Sequence, residues 1–362
     1  MKYTLWLLFF VLLSACSTEE KPGSKLTFVD EIMLPHTSVR NQGLTQTCWA
    51  YTMASILESN HLSKTNDTIR LSVMYAVRQK YLKQFEQYYY SQGTDEIRNG
   101  SLGHSFLWVL QEKGAMPDDA YKGYLPGAKY HDHRALLKQL KNLAKQAVDK
   151  RDLQTYRIKA EALLDKHMGV VPQQFIFKGV EYTPRTFADA LGFKADDYVT
   201  VTSFTHHPFY NSFILEIPDN WEHAPFYNVP LDSLEHFVLT ALQNGQTVAW
   251  DGDIHEDGFS AKLGYAITPN IPVSQENRKQ DFENFSTTDD HMMQIIGIAY
   301  DNQKTPYYIL KNSWGKHGPY KGIMYMSQDY FRAKTISVII PKKFVRPLSS
   351  EAAPLPCPGN NV

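Results

Sequence analysis

In the run Asn41-Gln42-Gly43-Leu44-Thr45-Gln46-Thr47-Cys48-Trp49-Ala50 a glutamine stands six residues ahead of a Cys-Trp pair. The residues that follow, Trp49, Met53, Ile56 and Leu57, recur at spacings of three and four, the pattern of a helix beginning at the cysteine. A thiol in that position lies at the positive end of the helix dipole, where the thiolate is favoured. The Gln42 carboxamide can donate a hydrogen bond to an oxyanion formed beside the sulfur. The chemistry is attack of sulfur on a carbonyl carbon, and it requires a base and something to aim that base.

Both are found near the C-terminus. His291 opens a run whose segment Met293 to Tyr300 reads as a buried strand, Asp301 to Pro306 as a turn, and Tyr307 to Leu310 as a second strand ending in Lys311-Asn312-Ser313-Trp314-Gly315. A hairpin folding near Asp301 and Asn302 brings His291 and Asn312 to within a residue or two of facing each other. Cross-strand neighbours lie about 4.5–5.5 Å apart at Cβ. The asparagine carbonyl can then hold one ring nitrogen while the other faces the sulfur.

Gln42, Cys48, His291 and Asn312 follow the order of papain-like cysteine peptidases, and the chain resembles their bleomycin hydrolase and aminopeptidase C branch. The resemblance is carried by Asn312-Ser313-Trp314-Gly315 with Tyr320-Lys321-Gly322-Ile323-Met324-Tyr325-Met326-Ser327, by Asn228-Val229-Pro230-Leu231-Asp232-Ser233-Leu234, and by Asn244-Gly245-Gln246-Thr247-Val248-Ala249-Trp250 with Asp253. It spans about Thr27 to Val345. It implies an α+β, two-lobed papain-like fold: a helical lobe with Cys48, a β-rich lobe with His291 and Asn312, and a cleft between.

The resemblance further implies a cysteine-type peptidase acting on peptides, without a cofactor, as an aminopeptidase, and it leaves a homo-oligomer open. Cys48 would be the nucleophile, His291 its proton partner, Asn312 the group orienting His291, and Gln42 the oxyanion donor. Asn99-Gly100-Ser101 resembles the papain-like Asn-Gly-Gly substrate loop. Trp314 falls with the substrate-binding residues and is expected to pack over the His–Asn bond. Three departures bear on specificity. Thr45-Gln46-Thr47 replaces the branch's Ser-Gly-Arg, Asp290-His291-Met292-Met293 its Thr-His-Ala-Met, and Ser101 its second loop glycine.

The 362 residues, 43% hydrophobic and 13% aromatic, suit a globular enzyme rather than a disordered scaffold. A formal charge of −1 gives no electrostatic footprint for nucleic acid. At the N-terminus, Lys2 and the apolar Leu5 to Leu13 form a signal peptide too short to span a bilayer. Leu13-Ser14-Ala15-Cys16 resembles a bacterial lipobox, which makes Cys16 the lipidated first residue of a mature envelope protein held on a membrane. Cys48 and Cys357 remain, and they make no disulfide framework. His206-His207 lacks a second cluster at metal-ligand spacing, so no metal is expected.

The expected organisation is residues 1–16 as signal peptide and lipobox, 17–345 as the peptidase domain with a helical insertion over about 132–227, and 346–362 as a Pro-rich tail. Helices are expected over about Cys48–Asn60, Ser72–Tyr89, from Gly103, in a hairpin over 132–168, and over Leu231–Asn244, followed by strands through Ile340. Asp289 and Asp290 read as a solvated loop pair. In the branch it resembles the chain's own C-terminal arm lies in the cleft and confines cleavage to a substrate's N-terminal end, and the Pro-rich tail Arg346 to Val362, extended at about 3.1 Å per residue, is expected to do the same. The competing readings are a papain-like endopeptidase with an open cleft, a cell-wall peptide hydrolase, and a non-catalytic binding module. The Asn-Ser-Trp-Gly element with its upstream Gln disfavours the wall hydrolase. Retention of all four polar groups disfavours the binding module.

Overall fold

The structure is a computed structural model, and it describes residues 26–268 and 273–346. The signal peptide, Cys16, Cys357 and the tail from Pro347 lie outside the described residues, so the readings placed on them are not addressed by the fold. Among the described residues no helix is long and apolar enough to cross a membrane.

The chain begins with strand β1 (Phe28–Met33) and then builds a helical half from α1 (Cys48–Thr65), α2 (Val73–Tyr90), α3 (Gly103–Lys113), α4 (Arg134–Lys150) and α5 (Leu153–Met168). A small hairpin, β2 (Phe175–Phe177) and β3 (Val180–Tyr182), precedes α6 (Pro184–Ala190). Next come β4 (Tyr198–Thr202), β5 (Ser212–Ile214), β6 (Pro225–Asn228), α7 (Leu231–Gln243), β7 (Val248–Gly252), β8 (Phe259–Ser260) and β9 (Tyr265–Ala266). The chain closes with α8 (Gln275–Glu283), β10 (His291–Asp301), β11 (Pro306–Lys311), β12 (Ile323–Ser327), α9 (Gln328–Lys334) and β13 (Thr335–Pro341). All strands except β2 and β3 join one sheet, in the order β5-β6-β4-β13-β7-β10-β11-β12-β9-β8.

β10 organises this sheet. Its first half, His291 to Ile295, pairs with β7, and its second half, Gly297 to Asp301, pairs with β1. β11 runs along its other edge, with a register shift between Ile295 and Gly297. The register sets Gln294 opposite Lys311. Asn312, just past β11, therefore comes level with the start of β10, as the hairpin reading requires.

α1 is not an ordinary amphipathic helix. Every residue from Trp49 to Asn60 is buried, because α1 is wedged between the other helices and the sheet. Its sheet-facing side is polar, and the partners are matched one by one. Ser55 Oγ donates to Gln294 Oε1 at 2.5 Å, and Gln294 Nε2 donates to Ser59 Oγ at 2.9 Å and to Thr247 Oγ1 at 3.0 Å. Lys311 Nζ donates to Thr37 Oγ1 and Ser55 Oγ, and Thr37 Oγ1 donates to Glu58. Each buried polar atom left without a partner costs about 1–3 kcal/mol. The network therefore fixes how α1 seats on β10 far more narrowly than an oily interface would.

The helical expectations hold to within a few residues at each end, except that α1 continues past Asn60 to Thr65. The hairpin α4–α5 packs on α2 through Leu136, Leu140, Ala144, Ala160 and Leu164, with Arg78 Nη2 on Asp165 Oδ1 at 2.6 Å. The region after Leu231 departs from expectation, since it holds α8 and α9 as well as strands. Gln-Glu-Asn-Arg-Lys-Gln-Asp-Phe-Glu buries only Arg278 and so has no apolar stripe to read. α9 is seven residues long, too short to show a period. Each is started by a serine side chain, Ser274 or Ser327, that accepts a backbone N–H three residues on.

Candidate active site

Cys48 is the first residue of α1. The turn before it carries Gln46 at φ 51° in the left-handed region, at the position where the branch it resembles has glycine. Thr47 does not cap the helix with its side chain, because its hydroxyl is hydrogen-bonded to Thr45 Oγ1 at 2.6 Å. The helix start is thus left with N–H groups that no side chain occupies, an anion-attracting terminus beside the sulfur.

Gln42 is held from two sides. Its N–H donates to Ser313 O at 2.8 Å, and its Oε1 accepts from Ser313 Oγ at 2.9 Å. With the carbonyl oxygen occupied, the carboxamide NH₂ is the group left free, and it has no acceptor among the described residues. The loop itself is pinned on the helical half: Leu44 N–H donates to His131 O, and Gly43 sits at φ 62° so close to that carbonyl that a Cβ would lie 2.4 Å from it. Gln42→Ala is expected to lower kcat for peptide hydrolysis by about 10²-fold, the usual cost of one oxyanion donor, with KM little changed. Steady-state kinetics on a peptide amide checks this.

His291, 3% exposed, starts β10. Its Nε2 is 2.8 Å from Asn312 Oδ1, which makes Nε2 the protonated donor and leaves Nδ1 as the free ring nitrogen. Trp314 lies over this pair, its ring 4.5 Å from the imidazole, and is itself tied to Asn41 by an isolated bridge. The thiol is brought alongside by α1. The backbone of Met292, the residue after His291, hydrogen-bonds Cys48, and Thr52 Oγ1, one turn further on, donates to Met292 O at 3.0 Å.

Burial acts on both groups in the direction of neutrality. It pushes the Cys48 thiol up to about 12, with the Met292 backbone bond opposing and the charges of Asp289, Asp251 and Asp219 adding to the rise. It pushes His291 down to about 4 against the raising effect of Asn312 and Asp290. For each group burial favours the neutral form. A proton passed from a thiol to an imidazole leaves no net charge, so such a transfer avoids part of the burial cost that each ionisation carries by itself.

Asn99, Gly100 and Ser101 are fixed by a residue the sequence reading missed. Lys80 of α2 is 0% exposed and donates its ammonium hydrogens to the carbonyls of Arg98, Asn99 and Gly100. Asn99 O also accepts from Trp49 Nε1 at 3.2 Å, and Asn99 Oδ1 from Tyr81 OH at 2.9 Å. The loop is thereby bolted to the residue after the cysteine. Ser101 Oγ is engaged by Trp221 Nε1 at 2.8 Å and by Ser105 Oγ at 2.6 Å. A lone lysine in a helical run with aromatic neighbours reads as a solvated face, and nothing local marks Lys80 as buried.

Asp289 is half-buried rather than the solvated loop carboxylate expected. It meets Asp251 of β7, which is fully buried, and the two carboxyls are hydrogen-bonded. Burial raises Asp251 to about 7 and raises Asp289 well above the carboxylate range, so the pair retains a proton. Asp290 instead turns to His255 Nδ1 at 2.7 Å and to Thr288. The reason is register: β10 pairs with β7 up to His291↔Gly252, which turns the residues just before β10 in against Asp251.

His104, three residues after Ser101, is half-buried and hydrogen-bonded to Thr200 Oγ1 at 2.9 Å, and burial lowers it to about 4. His206 and His207 both reach Glu216, at 3.2 and 2.7 Å, a third potential donor that lies too far along the chain to be read as a motif.

A thiol at the head of a buried helix, seated on a sheet that carries a histidine–asparagine pair, is the papain-like arrangement, and the overall fold is of that class. PepW of Lactobacillus rhamnosis HN001 superposes with a TM-score of 0.70 at 18% identity, over 88% of this chain and 83% of that one. The sequence profile of the Peptidase C1-like family matches residues 134–353, and the chain belongs to that family. The matched stretch holds His291 and Asn312; Cys48 and Gln42 precede it. Aminopeptidase G of Lactobacillus delbrueckii subsp. lactis is 26% identical over 163 residues, 41% of this chain and 36% of its own. Aminopeptidase C of Streptococcus thermophilus is 25% identical over 203 residues, 49% and 45%. Mouse bleomycin hydrolase is 23% identical over 131 residues, 33% and 29%. The aligned regions thus span under half the length of these relatives.

Proposed function

We propose that this chain is a cysteine aminopeptidase carried on a membrane of the bacterial envelope by lipid on Cys16. Cys48 Sγ attacks the carbonyl carbon of a peptide bond while its proton passes to His291 Nδ1. The Gln42 NH₂ and the Cys48 N–H donate to the oxygen as it becomes an oxyanion. The tetrahedral adduct collapses, the C–N bond breaks, and His291 gives its proton to the leaving amine. Water, deprotonated by His291, then hydrolyses the thioester and restores the thiol. Asn312 holds the ring in the tautomer that presents Nδ1.

The observation that carries this reading is the 2.8 Å contact from Asn312 Oδ1 to His291 Nε2, on the strand whose next residue hydrogen-bonds the thiol. The aminopeptidase assignment is supported by the names of the relatives, and the anchor by Leu13-Ser14-Ala15-Cys16 after an apolar run. Incubating the full chain with a mixed peptide library and mapping products by mass spectrometry tests the activity. Stepwise loss of N-terminal residues is expected. Internal cuts in N-acetylated peptides would favour the endopeptidase reading. Radioactive palmitate should label the wild-type chain and not Cys16→Ala; equal labelling of both would refute the anchor.

A further inference from the structure

Between β4 and β6 the chain makes an excursion that is braced on both sides of β5. The turn after β4 is held by Asn228, a buried side chain at the end of β6. Its Oδ1 accepts from Phe204 N–H at 3.0 Å, and its Nδ2 donates to the carbonyls of Phe204 at 2.8 Å and His207 at 2.9 Å. The segment after β5 starts at the buried Leu215, and Asn220 braces it by donating to Leu215 O and Ala224 O and accepting from Ala224 N–H. Further along, Trp221 Nε1 donates to Ser101 Oγ, and Glu222 accepts from Ser105 Oγ and pairs with Lys83. The segment from Leu215 to Glu222 thus rests on Ser101 and on α3.

His206 and His207, on the turn, both face Glu216, on the segment. One imidazole stands at each carboxylate oxygen: His206 Nε2 is 3.2 Å from Oε2, and His207 Nε2 is 2.7 Å from Oε1. The three residues each offer a ligand atom within 4.8 Å of the other two. Ligands held tetrahedrally at about 2.1 Å from a zinc ion stand about 3.4 Å from one another, so the observed spacing is close to that of a ligand set. Both rings are also fixed by stacking. His207 lies on Phe213 with centroids 4.0 Å apart and planes 24° from parallel, and His206 lies on Phe282 of α8 at 5.5 Å and 13°. His206 Nδ1 is buried and has no partner among the described residues, so Nε2 is the nitrogen through which this ring acts.

Imidazole with carboxylate is a donor set for zinc-class divalent ions, whereas calcium and magnesium take oxygen ligands. Three protein ligands leave a fourth position for water. His206 and Glu216 line a cavity of about 400 Å³, ample for that water, and Glu283 lines the same cavity and adds a second negative charge. Backbone bracing and ring stacking hold the donors in place beforehand, so an ion would pay little to order them.

We propose that His206, His207 and Glu216 bind a zinc-class divalent cation, and that the ion ties the turn after β4 to the segment from Leu215 to Glu222. The ligands come from both sides of β5, so the ion closes a loop that the backbone leaves open at its outer end. It steadies the segment whose Trp221 holds Ser101. The site is separate from Cys48 and His291 and does not depend on the peptidase reading.

The test uses the full chain carrying Cys48→Ala, which removes the active-site thiol as a competing ligand. The protein is stripped with a chelator and titrated calorimetrically with zinc chloride, with calcium chloride as the control for oxygen-only ligation. One zinc ion per chain is expected, and no heat from calcium. His207→Ala and Glu216→Gln, added singly, are each expected to weaken zinc binding by at least about tenfold, since even indirect partners of a metal contribute that much. Both side chains are partly exposed, 32% and 56%, so the fold should survive either change, and melting temperatures without zinc check this. Zinc should raise the melting temperature of the parent and not of the variants, and should slow amide exchange across Leu215 to Glu222. Zinc affinity unchanged in both folded variants overturns the proposal, as does calcium binding equal to zinc. Loss of binding in His255→Ala but not in His207→Ala would place the ion at Asp253, His255 and Asp290 and overturn it too. Unchanged amide exchange in the zinc-saturated parent would overturn the tie between the two segments.

Discussion

Replacing Cys48 with alanine is expected to lower kcat/KM for peptide hydrolysis by on the order of 10⁵-fold, down to whatever the oxyanion donors and substrate positioning still provide. The magnitude follows from the mechanism: without sulfur there is no covalent intermediate, and no neighbouring group can replace it. Among the described residues His291 hydrogen-bonds Asn312 and lies under Trp314, neither of them a nucleophile, and burial raises Asp289 and Asp251 toward their protonated forms. The fold should tolerate the change, since Cys48 is partly exposed and α1 is fixed by Ser55, Ser59 and Thr52. A progress curve with a fluorogenic aminoacyl amide, alongside a thermal melt, reads both quantities. Activity within about tenfold of wild type would place the nucleophile elsewhere, since that is a loss of only about 1.4 kcal/mol of barrier.

Replacing His291 with alanine is expected to cost on the order of 10⁴-fold in kcat, at the upper end of general acid–base contributions. The burial that raises the thiol to about 12 explains why. With no imidazole to take its proton, Cys48 at neutral pH stays almost entirely a thiol. The same variant should therefore react with iodoacetamide far more slowly than wild type, a difference that a purely structural role of His291 would not produce. Unchanged alkylation of Cys48 in His291→Ala would show that the two groups are not coupled. Asn312→Ala is the milder companion, because the ring remains and loses only the contact that fixes its tautomer.

Much of the site was legible because its parts are local. The Gln-to-Cys spacing lies within one loop and helix start, and the His–Asn pair is joined by a single tight hairpin, so strand register alone brings them together. The features that set up the environment are assembled across the chain and leave no local trace. Lys80 reads as a surface lysine until the loop at Arg98 to Gly100 folds over it. Gln294 reads as one polar residue in an apolar strand until α1 delivers Ser55 and Ser59 to it. Asp251 and Asp289 are 38 positions apart and meet only because β7 and β10 pair. Asp219 sits in an aromatic stretch with no periodicity. α8 could be inferred only from the serine before it, since a helix that buries one arginine shows no hydrophobic face.

The central claim is that Cys48 becomes acylated. Full-length enzyme mixed with a slowly hydrolysed aminoacyl ester, quenched in acid within the first turnover and digested, should yield a peptide containing Cys48 whose mass is raised by the aminoacyl group. The adduct should disappear on treatment with hydroxylamine, as a thioester does. Turnover with no adduct on Cys48, or with the adduct on another residue, would contradict it.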